Sequence, residues 1–446
     1  MNFVDLLVAP FYFLIFWLFA FIYKTNNKQD YLIQKYFISA YFLRIFGGIA
    51  FACVYFFYYG GGDTLNYHSD SMIISGALRH DPVNGIKLLF IKIDYANYDT
   101  YKYVSKMIFR DDRASQFVSG LAAIINIFTF DSFLSTTIFF SLIGFWGNWQ
   151  LFKILCKLFP DLHPHLAIGC LYLPSILFWT SGLMKDTLCT AAICFLFKNI
   201  VDFFILNKRG LKTALIILIT IWVLYILKIY ILFCFIPTVA IYLFSNINNK
   251  IKNELLRKLI KPFFTILAIF ISYRALDFIS QDNKKYSLEA IEATAQITAK
   301  YIGAVSINTG GSFYSLGELD FSPSNIPGLL LQSFIVTFYR PFIWEVTSPL
   351  MIFSVMEACY FIYLSYLFFI FCLRKKKGQK IFTPFTTFCF TFAICFAFVV
   401  GVTSNNFGTL ARYKSLMLPF FVCGIYATIK QKNHYPIASR PIPKTT

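Results

Sequence analysis

Residues 213–245, TALIILITIWVLYILKIYILFCFIPTVAIYLFS, contain a single charged residue, Lys228, and they decide the class of this protein. A hydrocarbon core about 30 Å thick is crossed by about 20 apolar residues in a helix. The same character runs through all 446 residues, of which 58% are hydrophobic and 14% charged, against about 25% charged in average usage. The apolar runs are continuous and do not alternate, which excludes a β-barrel. We therefore predict an all-α, polytopic transmembrane helical bundle.

The long stretch is interrupted near Lys228, and the loops on either side of it, 207–212 and 248–261, are both basic. One tilted helix would place these two loops on opposite sides of the membrane. A hairpin keeps both on the side where positive charge is favoured. We therefore predict two short spans, 213–227 and 228–245.

The loops along the chain alternate between basic and non-basic, and the positive-inside rule makes the basic side cytoplasmic. This predicts a bacterial inner-membrane protein with its N-terminus outside, a single membrane domain over 1–429 and a cytoplasmic tail over 430–446. Two longer loops, 59–130 and 280–347, are expected on the extracytoplasmic face. The eleven predicted spans are 4–23, 38–58, 131–152, 166–182, 186–205, 213–227, 228–245, 263–279, 348–373, 381–402 and 413–429.

Two apolar segments in the outer loops, 117–130 and 326–342, are too short to span, and we interpret them as re-entrant or interfacial. Residues 287–304 have helical character. The chain shows no internal repeat, and an inverted repeat would have favoured a secondary transporter.

The net charge is +18, which in a soluble protein would indicate a nucleic-acid partner. Here the basic residues lie mainly in short loops, so we interpret them as topology determinants that also contact anionic membrane lipid. We predict no nucleic-acid partner. The 11 cysteines form no CxxC pair and lie in or beside apolar runs, so we expect neither disulfides nor a metal site.

The first polar motif, YYGGGDTLNYHSDS (58–71), follows the second predicted span. Asp63 is a candidate general base, and Tyr67, His68 and Asp70 are candidate substrate-binding residues. A carboxylate there can also hold a divalent cation, although we predict no metal. The alternative is a Gly-rich turn with Asp63 as a helix N-cap.

The second motif, LPSILFWTSGLMKDT (173–187), places Lys185 and Asp186 between two apolar runs. Charges there are costly unless they are paired or face water, and a lysine can bind phosphate. The alternative is a plain solvated turn. Lys228, at the tip of the predicted hairpin, would add to the same phosphate-attracting field.

The third motif spans 308–345 and ends in YRPFIWE, with Arg340, Trp344 and Glu345 at a membrane boundary. Arg340 can grip a phosphate, and Trp344 can stack on a sugar or anchor the interfacial belt. Glu345 is either a general base or the partner of Arg340.

The fourth motif, SNNFGTLARYKSLMLPF (404–420), places Arg412 and Lys414 at the outer end of the last predicted span, where positive charge is disfavoured. A local departure from the positive-inside rule points to function. Two neighbouring cations are suited to bind a phosphate or pyrophosphate. The alternative is snorkelling to lipid phosphate. No Walker A, GxSxG or HExxH motif is present, so we predict chemistry by carboxylates and cations without a cofactor.

The segment GGGDTLNYHSDS resembles the GxDxxxY element that follows an early span in EpsG-type exopolysaccharide polymerases. RYKxxxLPF at the last span is similar to their late arginine. The combination of SGLMKD, GGSFYSLGELDFSP, YRPFIWE and NFGTLARYK more closely resembles a group of uncharacterised multi-pass proteins from bacterial surface-polysaccharide gene clusters.

The resemblance implies a glycosyltransferase of broad GT-C type, or a Wzy-like O-antigen polymerase, that uses polyprenyl-phosphate-linked glycans on the outer face, alongside other polysaccharide-assembly proteins. Asp63 would match the early acidic residue and Arg412 the late basic one. The paired acids of many GT-C enzymes are missing at 60–70, so the base is either Asp63 or Glu345. Two rival functions are a transporter or flippase of lipid-linked oligosaccharide and a non-catalytic scaffold of a polysaccharide or secretion complex.

Overall fold

The computed structural model describes residues 3–90, 98–248, 288–309, 311–317, 319–375 and 379–430. Within these ranges all regular structure is helical, which confirms the all-α class. The helices are, in chain order, α1 Phe3–Asn26, α2 Ile33–Tyr58, α3 Asp63–His80, α4 Pro82–Phe90, α5 Tyr98–Val104, α6 Arg113–Thr129, α7 Phe133–Leu158, α8 His163–Ala167, α9 Pro174–Trp179, α10 Lys185–Ile205, α11 Leu211–Asn248, α12 Leu288–Thr309, α13 Ile326–Tyr339, α14 Met351–Arg374, α15 Pro384–Ser404, α16 Phe407–Lys414 and α17 Leu418–Ile429.

Among the described residues, seven helices are long and apolar enough to cross a bilayer: α1, α2, α7, α10, α11, α14 and α15. Their length and composition confirm the coarse prediction of a helical chain with membrane-spanning character. Six of them coincide with predicted spans, namely 4–23, 38–58, 131–152, 186–205, 348–373 and 381–402.

Two other predicted spans, 166–182 and 413–429, are not continuous helices. The first breaks before Pro174, which begins α9 after an extended Leu173, because proline lacks an N–H and disfavours helix at the preceding residue. The second is divided between α16 and α17. A 12-residue helix such as α17 is about 18 Å long, which is shorter than a hydrocarbon core. The predicted span 263–279 lies outside the described residues.

Helix α11 is interrupted at Lys228, whose backbone angles are φ −154° and ψ 83°. Helical runs over 211–227 and 229–248 meet at this residue. The predicted interruption is therefore confirmed in place, and the predicted hairpin stays a prediction.

The predicted outer loops contain much regular structure. Residues 59–130 include α3 to α6, and the apolar segment 117–130 lies mostly in α6. Helix α12 confirms the helical character expected over 287–304. Residues 326–342 include α13, whose 14 residues are too few to span. The interfacial placement of these segments stays a prediction.

The chain forms two compact units. The first comprises Met1–Leu151, Leu171–Phe233 and Ala411–Leu416, and the second comprises Phe152–Cys170, Cys234–Leu410 and Met417–Thr446. The candidate residues of the first, second and fourth motifs, together with Lys228, lie in the first unit. Those of the third motif lie in the second unit.

In the second unit, aromatic side chains fill the packing between helices. The ring of Phe235 meets those of Phe388 and Phe392 edge-on, with centroids 5.7 and 5.6 Å away. Helix α15 packs closely on α13, since a Cβ added at Gly401 would lie 2.8 Å from the Ser333 Cβ.

In the first unit, glycines allow α2 to approach its neighbours closely. A Cβ added at Gly48 would lie 1.9 Å from the Oγ of Ser141 on α7, and one added at Gly47 would lie 1.8 Å from the carbonyl oxygen of Leu177 on α9. Small residues at helix crossings bring backbones together where the surrounding solvent is lipid. This packing holds α9 against α2.

In the irregular segment between α9 and α10, residues 180–184, side chains donate to the carbonyl oxygens of Thr180, Ser181 and Gly182. Arg44 of α2 is buried, and it donates to the carbonyl oxygen of Ile176 at 2.7 Å and to that of Thr180 at 2.5 Å. Ser141 donates to the carbonyl oxygen of Ser181 at 2.6 Å, and Thr187 to that of Gly182 at 2.6 Å. Buried non-helical backbone requires such partners, because its carbonyl groups have no helical hydrogen bonds and no access to water. The break can therefore hold a fixed position.

We expect Arg44→Ala to lower the stability of the protein by about 2–4 kcal/mol, since it removes the guanidinium donors from the carbonyl oxygens of Ile176 and Thr180 and opens a cavity. The melting temperature in detergent should fall by several degrees. Arg209→Ala provides the control, because Arg209 is an exposed arginine in the turn before α11. Equal melting temperatures for the two variants would contradict this role of Arg44.

Candidate functional site

Asp63 lies at the start of α3, directly after a turn that requires glycine. Gly62 is the N-cap with φ +109°, and a Cβ there would lie 2.9 Å from the ring of Tyr55. The N-cap position considered for Asp63 is therefore taken by Gly62, and Asp63 is the first helical residue. Its carboxylate is well placed to interact with the helix dipole.

Asp186, in the first turn of α10, is the centre of the charged residues in the first unit. Its side chain is fully buried, and it accepts hydrogen bonds from Lys228 Nζ and Arg412 Nε, each at 2.5 Å. A buried carboxylate is tolerated when it is paired and hydrogen-bonded. These bonds join three segments that are far apart in the sequence.

Arg412 also donates a hydrogen bond to the first motif. Its Nη1 donates to Asp63 Oδ2 at 3.1 Å, so the structure brings the early acid and the late base into contact. The burial of Arg412 lowers its pKa, but the charge of Asp186 more than offsets this and holds the pKa well above its ordinary value. Arg412 is therefore a fixed cation.

Lys228 owes its position to the break in α11. The non-helical torsion angles at this residue accompany the ion pair with Asp186, and the ammonium also lies 3.9 Å from the centroid of the Tyr413 ring. A desolvated cation–π contact adds to the stabilisation of the charge. Tyr413 was not singled out from the sequence, and its position beside Arg412 in the ARYK motif was the available signal.

Lys185, next to Asp186 in the chain, pairs with a residue that the sequence analysis missed. Its Nζ donates to Asp112 Oδ2 at 2.6 Å. Asp112 is the N-cap of α6, where it also accepts from the N–H of Ala114 and the hydroxyl of Ser115. Burial raises the pKa of Asp112, but the hydrogen bonds from Lys185 and Ser115 outweigh this and hold it below its ordinary value. An acid directly before an apolar helical run was the missed signal.

Tyr67 lies four residues after Asp63 on the same face of α3. Its buried ring stacks at a tilt on Phe109, 5.0 Å between centroids, and lies 6.0 Å from Lys185 Nζ. Tyr67 therefore faces the same group of charges.

Two other predicted residues of α3, Asp70 and His68, have different surroundings. Asp70 is fully buried and accepts the backbone N–H groups of Ile108 at 2.8 Å and Phe109 at 2.9 Å. Burial raises the pKa of Asp70, and the two N–H groups oppose that shift. His68 packs against Phe133, and burial lowers its pKa. These contacts tie Asp70 to the backbone before α6 and His68 to the start of α7, and the substrate-binding role of both residues stays a prediction.

Arg340 and Glu345 of the second unit pair with each other. Arg340 Nε lies 3.0 and 3.1 Å from the two carboxylate oxygens of Glu345, and the N–H of Phe342 donates to the same carboxylate at 2.7 Å. Burial raises the pKa of Glu345, and these hydrogen bonds outweigh it and leave the pKa below its ordinary value. Trp344 is 81% exposed and stacks on Phe342. The partner role proposed for Glu345 thus has a direct structural basis.

Lys414, the remaining predicted residue, is fully buried in α16. No group of three or more His, Cys, Asp or Glu side chains is arranged for a metal ion in the described ranges.

We define the polar cluster as Asp63, Asp112, Lys185, Asp186, Lys228 and Arg412. Its three carboxylates come from the N-terminal ends of α3, α6 and α10, where the helix dipole favours negative charge. Its three cations balance them. Cations combined with helix N-termini are suited to bind phosphate.

We expect Asp186→Asn to destabilise the protein by about 3–5 kcal/mol, because it leaves two desolvated cations without their carboxylate. The matched control is Asp202→Asn, which removes a carboxylate that pairs with the more exposed Lys198 and Lys208 and should cost about 1 kcal/mol. Melting temperatures in detergent would be compared. Adding Lys228→Met to Asp186→Asn should restore part of the loss, and an additive further loss would contradict the pairing.

No family model matches the chain, and neither the curated proteins nor the solved structures include a significantly similar one. The polar cluster is therefore interpreted from its own geometry and chemistry. It joins residues 63, 186 and 412 of the sequence through two carboxylates and one guanidinium. A buried ion-pair network of this kind, with a half-exposed carboxylate at its edge, is a candidate site for an anionic substrate.

Proposed function

We propose that the protein is a membrane glycosyltransferase or polysaccharide polymerase that acts on polyprenyl-phosphate-linked sugars at the extracytoplasmic face. The observation that carries this proposal is the contact of Arg412 with Asp63 and Asp186. Asp63 and Arg412 are the positions at which the chain resembles the early acid and late arginine of EpsG-type polymerases. The two residues are more than three hundred positions apart in the sequence. If they serve one site, the fold must bring them together.

The chemistry that we assign follows from exposure. The Asp63 side chain is 44% exposed and Arg412 is 14% exposed, so Asp63 is the carboxylate that an acceptor can reach. It would take the proton as the acceptor oxygen forms a bond to the anomeric carbon. The bond from that carbon to the phosphate oxygen breaks, and the leaving phosphate keeps the electron pair. Arg412 and Lys185 would stabilise the charge on this phosphate.

Glu345 is the less suitable base of the two. Its carboxylate is occupied by Arg340 and by the N–H of Phe342, and a base needs a lone pair that the substrate can reach. In this proposal Arg340, Glu345 and Trp344 contribute to substrate binding or to the membrane boundary, and Asp186 and Lys228 hold Arg412 in place.

The proposed location is the bacterial inner membrane with the polar cluster outside. Asp5, in the first turn of α1, accepts from the hydroxyl of Ser132 at 2.7 Å and from the N–H of Leu134 at 3.0 Å. The start of α1 and the start of α7 therefore lie at one end of the first unit. This arrangement supports the predicted alternation, in which the N-terminus and the non-basic turns share a side and the basic loops are cytoplasmic.

A transporter of lipid-linked oligosaccharide is the second candidate function. The breaks between α9 and α10 and at Lys228 favour it, because transporters bind anionic groups at the N-termini of discontinuous helices. The concentration of charged groups in one cluster, instead of a path along the spans, favours the enzyme.

We expect Asp63→Asn to reduce sugar transfer by about 100-fold or more, the usual contribution of a general base. The first measurement is the ladder of surface polysaccharide from cells that make the variant in place of the original protein at equal membrane levels. Asp99→Asn is the control, since Asp99 is an exposed carboxylate paired with Lys87 outside the polar cluster. An unchanged ladder for Asp63→Asn would sink the enzymatic proposal.

The purified protein separates the two candidate functions. Product formed in detergent from a polyprenyl-linked sugar indicates an enzyme, whereas activity that requires sealed vesicles indicates transport. If the purified protein shows neither activity, and mutation of the whole polar cluster leaves the polysaccharide ladder unchanged with folding preserved, the scaffold is the remaining function.

A further inference from the structure

A cavity of about 550 Å³ lies between α1 and α2, close to the turn that joins the two helices. The helices contact each other on both sides of it. Toward the middle of α1, the rings of Phe13 and Phe42 pack with centroids 5.7 Å apart. At the joining turn, Gln34 Nε2 donates to the carbonyl oxygens of Lys24 at 2.9 Å and Asn27 at 3.1 Å. The cavity is therefore a gap between two helices that are held together.

The part of the cavity toward the middle of the helices is apolar. Its walls are Trp17 and Phe21 of α1 and Ile38 and Phe42 of α2. The rings of Trp17 and Phe21 stack with centroids 6.0 Å apart, and these residues are 48% and 54% exposed. The walls can thus be reached from the outer surface of α1, a helix long and apolar enough to cross a bilayer. An acyl chain of a membrane lipid is a suitable occupant of such walls.

The part of the cavity near the joining turn carries two lysines, Lys24 in the last turn of α1 and Lys28 in the turn itself. Lys24 is seven residues after Trp17, which is about 10 Å along the helix axis. Apolar walls and cations therefore follow each other along the cavity. A phospholipid presents its acyl chains and its phosphate in the same order.

The two lysines are not covered by acids. In the described ranges no ion pair includes Lys24 or Lys28. The nearest acid in the sequence, Asp30, uses Oδ1 to accept the N–H groups of Leu32 and Ile33. Each cation of the polar cluster, by contrast, has a carboxylate partner. An anion can therefore bind at this cavity without first displacing an acid.

The backbone around the two lysines is held by hydrogen bonds. Asn27 donates from its side chain to the carbonyl oxygen of Tyr23 at 2.8 Å and from its N–H to that of Lys24 at 3.2 Å. Thr25 donates to the carbonyl oxygen of Ile22 at 2.9 Å. A site whose backbone is already ordered loses less entropy when it binds a ligand.

We propose that this cavity is a binding site for an anionic glycerophospholipid, whose phosphate contacts Lys24 and Lys28 and whose acyl chain lies along Trp17 and Phe21. The site is separate from the polar cluster, and the inference goes beyond the proposed function. The charge pattern predicts a cytoplasmic position for the turn between α1 and α2. The cytoplasmic leaflet attracts basic segments through its anionic lipids, and basic pockets between membrane helices on that side bind anionic headgroups.

The test measures binding of phosphatidylglycerol and of phosphatidylethanolamine, with the same acyl chains, to the full-length protein in detergent by native mass spectrometry. The original protein should bind phosphatidylglycerol about tenfold more tightly. Lys24→Gln combined with Lys28→Gln should weaken this binding about 25-fold, since a lysine near an anionic headgroup contributes about fivefold. Equal binding of the two lipids by the original protein would overturn the site.

Arg209→Gln combined with Lys212→Gln is the matched control. These exposed cations lie in another basic segment on the same predicted side, and neither lines the cavity. Both double variants lower the net charge by two. Weaker binding in the lysine variant alone supports the site, whereas equal weakening in both variants would indicate a general surface field and contradict it.

Two further measurements test the apolar part of the cavity. Ile38→Trp fills this part without changing a charge, and it should weaken phosphatidylglycerol binding about tenfold. Unchanged binding by a variant that melts at the original temperature would contradict the acyl-chain position. Glycerol phosphate supplies the phosphate without acyl chains. If it competes with the lipid at equal concentration, the ligand is a soluble anion and the lipid site is wrong.

Discussion

The arrangement of the first unit depends on one buried carboxylate, Asp186, which accepts from both Lys228 and Arg412. Removing three charges from water is expensive, and the mutual attraction repays this only when the geometry is good. The position of Asp186 therefore constrains the segments that carry all three residues. One of them is a break in a long apolar helix, and another is a short helix late in the chain. Arg412 is held by this constraint at the place where it meets Asp63.

Asp186 lies in the first turn of α10. Its carboxylate can keep its position only if the backbone that precedes α10 is also held in place. Residues 180–184 are irregular, and Arg44, Ser141 and Thr187 satisfy their carbonyl groups or those of the adjoining turn. An arginine at the carbonyl end of a helix is favoured by the dipole as well as by hydrogen bonding. Two buried charged residues therefore hold this part of the first unit in place. Arg44 donates to carbonyl groups at the C-terminal end of α9, and Asp186 pairs the N-terminal end of α10 with Lys228 and Arg412.

The sequence was sufficient for the helical class and for six spans because hydropathy reports directly on length and burial in lipid. It was insufficient at Pro174, where the break falls inside an apolar run and window hydropathy does not change. It was also insufficient between α16 and α17, because the predicted span 413–429 included the polar end of α16. Asp63 and Arg412 were each singled out from the sequence as a charge at the end of an apolar run, whereas their direct contact came from the structure. Asp112 was missed because its partner Lys185 is 73 residues away, and the charge pattern of a loop does not name a distant partner. Arg44 was missed because it lies within a predicted span and its partners are backbone carbonyl groups, not an acidic side chain.

The balance of charges in the polar cluster bears on how a substrate reaches it. Three carboxylates offset three cations, so the cluster has little net field beyond a Debye length of about 8 Å. A soluble anion would be steered faster by uncovered cations. A ligand that is anchored in the bilayer diffuses in the plane of the membrane and gains less from such steering. A cluster with balanced charges therefore suits a lipid-borne substrate, because the membrane brings such a substrate to the cluster and a long-range field is not needed.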